Sequence, residues 1–270
     1  GEIDIYNKDT KDLLLYAEVP GSLGFSSVQQ NIGSINNRGL EFSINTVNFV
    51  GGKGKFKWTT NFNISFNKSK VTGLSDGQES RYSSVITTNN YICKVGHPLS
   101  EMYGYVYDGV YQYEDFNEVA PGQYVLKPEI PNNTEVRSNI QPGSVKLKDL
   151  NGDGKISTYG DKDGDDGDAE YVGSTTPRYS FGLNLGAKWN NFDISVFFQG
   201  VAKRTLFREG DFAMPCSDWW RYPPQFYYGQ TWNEDRPDAY YPRLTHGEIR
   251  HWNYQASTLQ KINAAYIRLK

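Results

Sequence analysis

The stretch from Arg178 to Gly200 reads RYSFGLNLGAKWNNFDISVFFQG, and it determines how the rest of the chain is interpreted. Apolar side chains occupy every second position of both arms, and polar or small residues fill the positions between, with Phe197 as the one exception. The apolar set comprises Tyr179, Phe181, Leu183, Leu185, Ala187 and Trp189, then Phe192, Ile194, Val196 and Phe198. Alternation of this kind places one apolar and one polar face on a β-strand. Asparagine tolerates positive φ, so Asn190-Asn191 predicts a two-residue type I′ turn between two antiparallel strands.

A second alternating stretch covers residues 39–71 and predicts another hairpin around the turn GGKG at 51–54. Its second arm alternates apolar and polar residues from Phe56 to Phe66 with few breaks. Strands of soluble proteins are usually roughly 5–6 residues long, whereas a tilted strand needs roughly 9–11 residues to cross a bilayer. The length of the alternation therefore favours a membrane-spanning strand.

Two architectures accommodate these hairpins. One is a soluble sheet with a single face on a protein core, and the other is a transmembrane β-barrel wall with an apolar outside and a wet lumen. Trp58 and Trp189 both lie close to the tight turns, where an interfacial girdle of aromatic residues belongs. The sequence therefore predicts an all-β chain that forms a segment of a large antiparallel transmembrane β-barrel.

Composition sets further bounds. The chain has 270 residues and a net charge of −3, and its mean hydropathy is −0.65. A charge so near neutrality predicts no nucleic-acid partner. No apolar run approaches the roughly 18 residues of a spanning helix, an absence that barrel proteins share. Cys93 and Cys216 are the two cysteines, and they are able to pair in an oxidising compartment or to stay as isolated thiols.

The spacing of the hairpins indicates which end of a barrel the loops occupy. Residues 1–38 predict a short strand at Ile3 and Ile5 followed by a polar stretch, while residues 72–177 and 201–258 form very long excursions. Within the first excursion, tyrosines at alternate positions of 102–112 predict a strand outside the lipid zone. Tight turns that alternate with long loops are typical of outer-membrane barrels, whose long loops are extracellular.

Motifs in order along nearly the whole chain resemble the SusC/RagA class of TonB-dependent outer-membrane transporters. The early motif is NIGSINNRGLE at 31–41, preceded by DLL at 12–14, Pro20 and Gly24. The later ones are GHP at 96–98, YGY at 103–105 with Gly109, PG at 142–143, DLNGDGKI at 149–156, GSTTPRYSFG at 173–182, then Trp232, Pro237, Ala239, PR at 242–243 and AYIRLK at 265–270.

The resemblance implies a 22-stranded barrel, closed by a plug domain, in the cell outer membrane. It implies import of oligosaccharides or peptides driven by the TonB complex, with a SusD-like surface lipoprotein as a lid. It further implies that the whole of 1–270 is partial barrel, with the plug domain before Gly1 and the last strands after Lys270. The alternative is a secreted calcium-binding β-sheet protein, such as an adhesive or carbohydrate-binding module.

The segment from Asp149 to Ile156 carries the sharpest local signal. In a calcium loop of the EF-hand type, oxygens at positions 1, 3 and 5 and a carbonyl at position 7 surround the ion, which predicts Asp149, Asn151, Asp153 and Lys155 as ligands. The bidentate acid of position 12 is missing because Gly160 stands there, and Asp161 follows one residue late. We therefore expect weak Ca²⁺ affinity, roughly 10⁻⁴–10⁻³ M. The alternative is a solvated turn, which Asp, Asn and Gly favour in any case.

Aromatic residues in a proline-containing loop offer a second candidate site. Trp219 and Trp220 predict a substrate contact, since exposed aromatic rings stack on sugars or contact proteins, and Tyr222, Tyr227 and Tyr228 follow them. The alternative is a loop that buries its own aromatic side chains. No nucleophile elbow, phosphate-binding glycine loop or zinc spacing is present in the sequence, so no enzymatic activity is predicted.

Overall fold

The structure is a computed structural model, and it describes residues 1–18, 27–52, 56–74, 80–86, 89–99, 101–132, 140–157, 167–208, 222–244 and 256–270. These residues are almost entirely β-structure with two short 3₁₀ helices, Tyr113–Asp115 and Gln225–Tyr227. The strands are β1 (Glu2–Glu18), β2 (Ser27–Val50), β3 (Lys57–Gly73), β4 (Ser80–Ile86), β5 (Asn89–Lys94), β6 (Glu101–Tyr105), β7 (Tyr107–Val110), β8 (Phe116–Ala120), β9 (Gln123–Leu126), β10 (Val145–Leu147), β11 (Ala169–Ser174), β12 (Tyr179–Trp189), β13 (Phe192–Ala202), β14 (Thr205–Phe207), β15 (Lys261–Asn263) and β16 (Tyr266–Leu269). Within these ranges, neither helix has the length and apolar character needed to span a membrane.

The largest sheet, here called the wall sheet, contains six antiparallel strands in the order β1-β2-β3-β12-β13-β16. Its register sets apolar side chains beside one another: Phe181 pairs with Ile64, which in turn pairs with Phe42. Leu183 pairs with Phe62 in the adjacent apolar row. Since paired residues of neighbouring strands point to the same side, these rows form one continuous apolar face. The predicted parity of both hairpins is confirmed.

The turn of the first hairpin differs in detail from its prediction. β12 and β13 pair from Tyr179↔Ala202 to Trp189↔Phe192, so the loop has two residues as expected. Asn190 has φ 51°, whereas Asn191 is not among the residues with positive φ. A type I′ turn needs positive φ at both central residues, so the predicted turn type is wrong although the position is right.

The start of the chain is more regular than its composition predicts. β1 has 17 residues and β2 has 24, in place of a short strand and an irregular polar stretch. The strands continue to pair beyond the apolar rows, as Asn7↔Arg38 and Asp9↔Asn36 show. Both faces are polar there, so no alternation of hydrophobicity marks the strand in the sequence. A register shift follows between Thr10 and Leu13.

The long excursions fold into a second unit, here called the loop body, formed by the described parts of residues 80–176 and 205–263. It contains a four-stranded sheet of order β11-β6-β5-β4 and three two-stranded ribbons, β10-β7, β8-β9 and β14-β15. Tyr103, Tyr105 and Tyr111 are buried in it. The predicted tyrosine-striped strand thus exists, divided at Val106 into β6 and β7, and its stripe contributes to a core.

The two excursions join along a seam at β6. The Tyr105 N–H donates to the Ala256 carbonyl at 2.8 Å, and the Thr258 N–H donates to the Tyr105 carbonyl at 2.9 Å. Farther along, Trp232 Nε1 donates to Gln112 Oε1 at 3.0 Å. Residues more than 100 positions apart therefore build one body rather than two separate loops. Cys216 lies outside the described residues, so its pairing with Cys93 stays a prediction.

Candidate functional site

The polar face of the wall sheet is the first candidate site. Asn45, Asn61 and Asn184 stand in one row across β2, β3 and β12, and all three are exposed. Ser195 on β13 donates its hydroxyl to Asn184 Oδ1 at 3.0 Å. A groove of about 610 Å³ follows this face near the two tight turns. Amides and hydroxyls both donate and accept hydrogen bonds, and Lys57, Lys188 and Asp193 add charges to the groove near the turns, so this surface suits a water-filled passage for polar solutes.

The acidic turn from Asp149 to Ser157 is the second candidate. Asp149 accepts hydrogen bonds from the N–H groups of Gly152 and Gly154 at 2.6 and 2.9 Å, and both glycines have positive φ. Asp153 accepts from the Lys155 N–H at 2.8 Å. Asn151 Oδ1 accepts from the Asp153 N–H at 3.1 Å. The predicted ligands are thus brought onto one tight turn, where their oxygens serve backbone donors.

Asp168 fixes the base of this turn, a role that the sequence did not reveal. Its carboxylate is fully buried and accepts from the Leu150 N–H at 2.7 Å and the Ser157 N–H at 2.8 Å. The Asp168 N–H donates back to the Ser157 carbonyl at 3.0 Å. In the sequence Asp168 is one of several aspartates in a polar run, and nothing in that run distinguishes it from the others.

The fit of the acidic turn to Ca²⁺ rests on its oxygen donors. Carboxylate, amide and carbonyl oxygens are the ligands that Ca²⁺ takes, and Asp149, Asn151 and Asp153 supply three such groups. Within the described ranges, no three His, Cys, Asp or Glu side chains converge on one point. Asp161, the predicted fourth side chain, lies outside those ranges. Calcium binding accordingly stays a prediction.

The aromatic loop divides into buried and exposed members. Trp219 and Trp220 lie outside the described residues, so their predicted contact with substrate stays a prediction. Tyr227 is 2% exposed and packs on Tyr241 with 4.5 Å between ring centroids. Tyr222 and Tyr228, by contrast, are 86% and 91% exposed. Part of this segment therefore fills the loop-body core, and part presents rings to the surface.

Three titratable side chains of the loop body have pKa values shifted by burial or by hydrogen bonds within the body. Burial raises the pKa of the Glu101 carboxyl, and the hydrogen bond from His97 at 3.2 Å opposes that shift. Burial likewise raises the pKa of Tyr107, whose hydroxyl donates to the Tyr240 carbonyl. A hydrogen bond to Glu234 raises the pKa of Tyr113 to about 12. These contacts hold the strands and loops of the body together.

Comparison with known proteins points in one direction. No protein-family model matches the chain. It is 35% identical over 200 residues to TonB-dependent receptor P3 of Formosa agariphila, a match that covers 73% of this chain and 18% of the relative. It is 28% identical over 200 residues to TonB-dependent receptor SusC of Bacteroides thetaiotaomicron, covering 72% of this chain and 17% of that protein.

Solved structures agree with the sequence relatives. The chain superposes on part of the RagAB peptide transporter with a TM-score of 0.65 and 19% identity, covering 99% of this chain and 26% of the other. A second structure, the RagAB peptide importer in the 'closed-closed' state, matches with the same TM-score and 21% identity. Identities this low establish the fold alone, and that fold is a segment of a large β-barrel. The chain spans about a fifth of the length of the curated relatives it matches.

Proposed function

Because the chain belongs to the TonB-dependent receptors of the SusC/RagA type, we propose that it forms part of a barrel wall in the outer membrane. The barrel would import peptides or oligosaccharides in a process driven by the TonB complex. The described residues supply the wall and its loops, and the proposal assigns no catalytic step to them.

One observation carries this proposal: the apolar face of the wall sheet is continuous and of membrane height, and its side chains are half-buried in the middle and exposed at the edges and near the turns. Ile5 is 81% exposed, Phe192 68% and Ile267 72%. β12 has 11 residues, and at roughly 3.3 Å per residue and a tilt of about 40° it rises about 25 Å. That is the height of the apolar band on outer-membrane barrels. Soluble proteins rarely leave so large an apolar patch in water.

Aromatic residues border this band at both ends, which supports the same proposal. Trp58 and Trp189 lie beside the tight turns. At the other end Phe66 and Tyr179 pair edge to face, with 5.2 Å between ring centroids. Girdles of this kind mark the two membrane interfaces of barrel proteins. The polar face, with its row of asparagines, would then line the passage through which solute moves.

The loop body lies at the end of the wall opposite the tight turns, so we place it outside the cell. There it would contact a SusD-like lipoprotein lid, as the resemblance to the SusC/RagA class implies. Peptides are the first substrate class to test, because the two structural neighbours are named as a peptide transporter and a peptide importer. Trp219 and Trp220 are proposed to contact the substrate, and the acidic turn is proposed to bind Ca²⁺ weakly.

Uptake by living cells tests the proposal. Cells with the gene of the full-length protein deleted, cells with an inactive TonB complex and the parent strain would be given fluorescent peptides and labelled oligosaccharides. We expect one of these classes to enter the parent alone and the protein to fractionate with the outer membrane. Equal uptake in all three strains for both classes would contradict the import function. Recovery of the protein from the medium would favour the secreted calcium-binding module.

A further inference from the structure

The apolar face of the wall sheet ends at a sharp boundary on three neighbouring strands. Going up each strand on this face, Ile5 is followed by Asn7, Leu40 by Arg38 and Phe66 by Lys68. The register places these three polar residues side by side, since Asn7 pairs with Arg38 and Arg38 with Lys68. The first row beyond the apolar band thus carries two adjacent cations at the end that faces the loop body.

A third cation joins this row from the connection after β13. Lys203 Nζ lies 5.4 Å from the centre of the Tyr179 ring, and Tyr179 pairs with Phe66 in the last apolar row. Arg38, Lys68 and Lys203 are exposed. Arg38 Nε donates to Asn7 Oδ1 at 3.1 Å, and in the part of the chain that the structure describes no carboxylate forms a salt bridge with any of the three cations. Their positive charge is therefore available to a ligand.

Arg38, Lys68 and the apolar rows line a common groove of about 800 Å³, and Lys203 lies beside it at the Tyr179 ring. Ile5, Leu40 and Phe66 form its apolar part, and Arg38 and Lys68 form its cationic part. A ligand that matches both parts has hydrocarbon chains on one side and a negatively charged head group on the other. Arginine binds phosphate through paired N–H donors, and lysine adds a point charge.

We propose that this groove, here called the head-group groove, binds the phosphates of an anionic lipid in the outer leaflet, with its acyl chains along the apolar rows. Most of the groove's lining, including Ile5, Arg38, Leu40, Phe66 and Lys68, belongs to the apolar face of the wall sheet, the face that meets lipid in the proposed barrel. A phosphorylated glycolipid of the outer leaflet has this chemistry. The proposal rests on the membrane location inferred above and adds a specific site to it.

Native mass spectrometry of the full-length protein in detergent tests the groove. The probe is purified lipid A with two phosphates, compared with its dephosphorylated form. The test variant is R38Q/K68Q. The control is K57Q/K188Q, which removes two lysines from the polar face of the same sheet near the tight turns, where Lys57 pairs with Lys188. We expect R38Q/K68Q to weaken binding of the phosphorylated lipid roughly 10-fold or more, because each basic residue near a membrane surface contributes measurably to lipid attraction. The control should bind like the parent.

The outcomes separate the alternatives. Equal binding by the parent and by R38Q/K68Q, or equal binding of the two lipid A forms, would overturn the proposal. Displacement of the lipid by millimolar inorganic phosphate would show that the cations form a site for free phosphate instead. If one of these results is obtained while the parent protein still assembles in the outer membrane, the lipid site is refuted and the proposed import function stands. If the full-length protein is absent from the outer membrane, both the import function and the head-group groove are refuted.

Discussion

At the scale of single residues, the wall is defined by which side chain occupies each row. A change of one position in β12 moves a side chain from the apolar to the polar face. Leu183 lies in an apolar row beside Phe62, while Asn184 lies in a polar row beside Asn61. These neighbours make a matched pair for testing which face meets lipid.

The first prediction uses that pair. Leu183 is six residues from Trp189, about 15 Å above the interface at roughly 3.3 Å per residue and a tilt of about 40°. Leu183→Arg should therefore lower the free energy of unfolding by roughly 2–4 kcal/mol, the cost of arginine near the bilayer midplane. Asn184→Arg should have a mild effect because it faces water. Urea titration of the full-length protein in lipid vesicles measures both, and equal losses would refute the assignment of the faces.

The second prediction concerns the seam of the loop body. A Cβ atom on Gly104 would lie 2.4 Å from the Ala256 carbonyl oxygen, which belongs to the backbone. Gly104→Ala must therefore push the two segments apart, and overpacking of this kind costs roughly 1–3 kcal/mol. We expect faster hydrogen exchange in peptides that contain Tyr105 and Thr258, since their N–H groups bridge the seam.

Gly73→Ala is the control for this variant. A Cβ atom at Gly73 would lie 3.7 Å from Ser34 Cβ, which is ordinary van der Waals contact. Exchange at the seam should match the parent in this control. Unchanged exchange in Gly104→Ala itself would show that the two excursions do not depend on close contact at β6.

At the scale of secondary structure, alternation predicts a strand only where its two faces differ. β12, β13 and the central part of β3 were predicted because apolar and polar residues alternate through them. The outer halves of β1 and β2 escaped prediction because no alternation marks them: both faces are polar around Asn7 and Arg38, and the apolar residues of β1 that follow form one continuous run from Leu13. Their backbones nevertheless pair, with register shifts on either side of Leu13. The ends of strands beyond the apolar band are thus fixed by the neighbouring strand and not by local sequence.

The acidic turn shows that local sequence also predicts only part of a candidate site. The spacing of Asp149, Asn151 and Asp153 predicted a tight turn, and the structure contains a tight turn there, in which the three side chains accept hydrogen bonds from backbone N–H groups. The burial of Asp168 depends on the loop body around it, so no pattern in the sequence distinguishes it from neighbouring aspartates.

The third prediction tests this element. A Ca²⁺ site with a dissociation constant tenfold below the ion concentration would stabilise the folded loop by roughly 1.4 kcal/mol. Millimolar Ca²⁺ should therefore protect residues 149–172 of the full-length protein from proteolysis, and Asp153→Ala should abolish the protection without preventing barrel assembly. Mg²⁺ should protect poorly because it demands a tighter octahedral shell.

An exposed aspartate elsewhere in the loop body provides the control for this experiment. Asp108 lies on β7 and is not one of the residues of the turn, so Asp108→Ala should leave the Ca²⁺ effect unchanged. If Ca²⁺ gives no heat in calorimetry and no change in proteolysis, the turn is held by its backbone hydrogen bonds alone.

At the scale of the whole molecule, the described chain has two zones, and different interactions stabilise each of them. The wall sheet is held by strand pairing and exposes its apolar face, whereas the loop body has a buried core that includes Tyr105, Leu147 and Ile156. Sequence patterns predicted the division into tight turns and long excursions. They did not predict that the excursions share one core, because the contacts that form it join residues far apart in the chain.

The fourth prediction follows from this division into zones. Gly122 lies in the turn between β8 and β9, and Gly229 lies beside Tyr228, which is 91% exposed. Nothing lies within 4 Å of a Cβ atom built on either glycine, so both positions border open space. Gly52 lies at the opposite end of the wall sheet, in the turn between β2 and β3. If the loop body is extracellular, antibodies should bind tags at Gly122 and Gly229 on intact cells. A tag at Gly52 should become accessible only after the outer membrane is permeabilised, because short turns of such barrels face the periplasm.

Labelling of intact cells at Gly52, with no labelling at the other two sites, would mean that the wall is inverted. The passage would then open with its tight turns outward, and neither a surface lipoprotein lid nor a head-group groove in the outer leaflet would be compatible with that orientation.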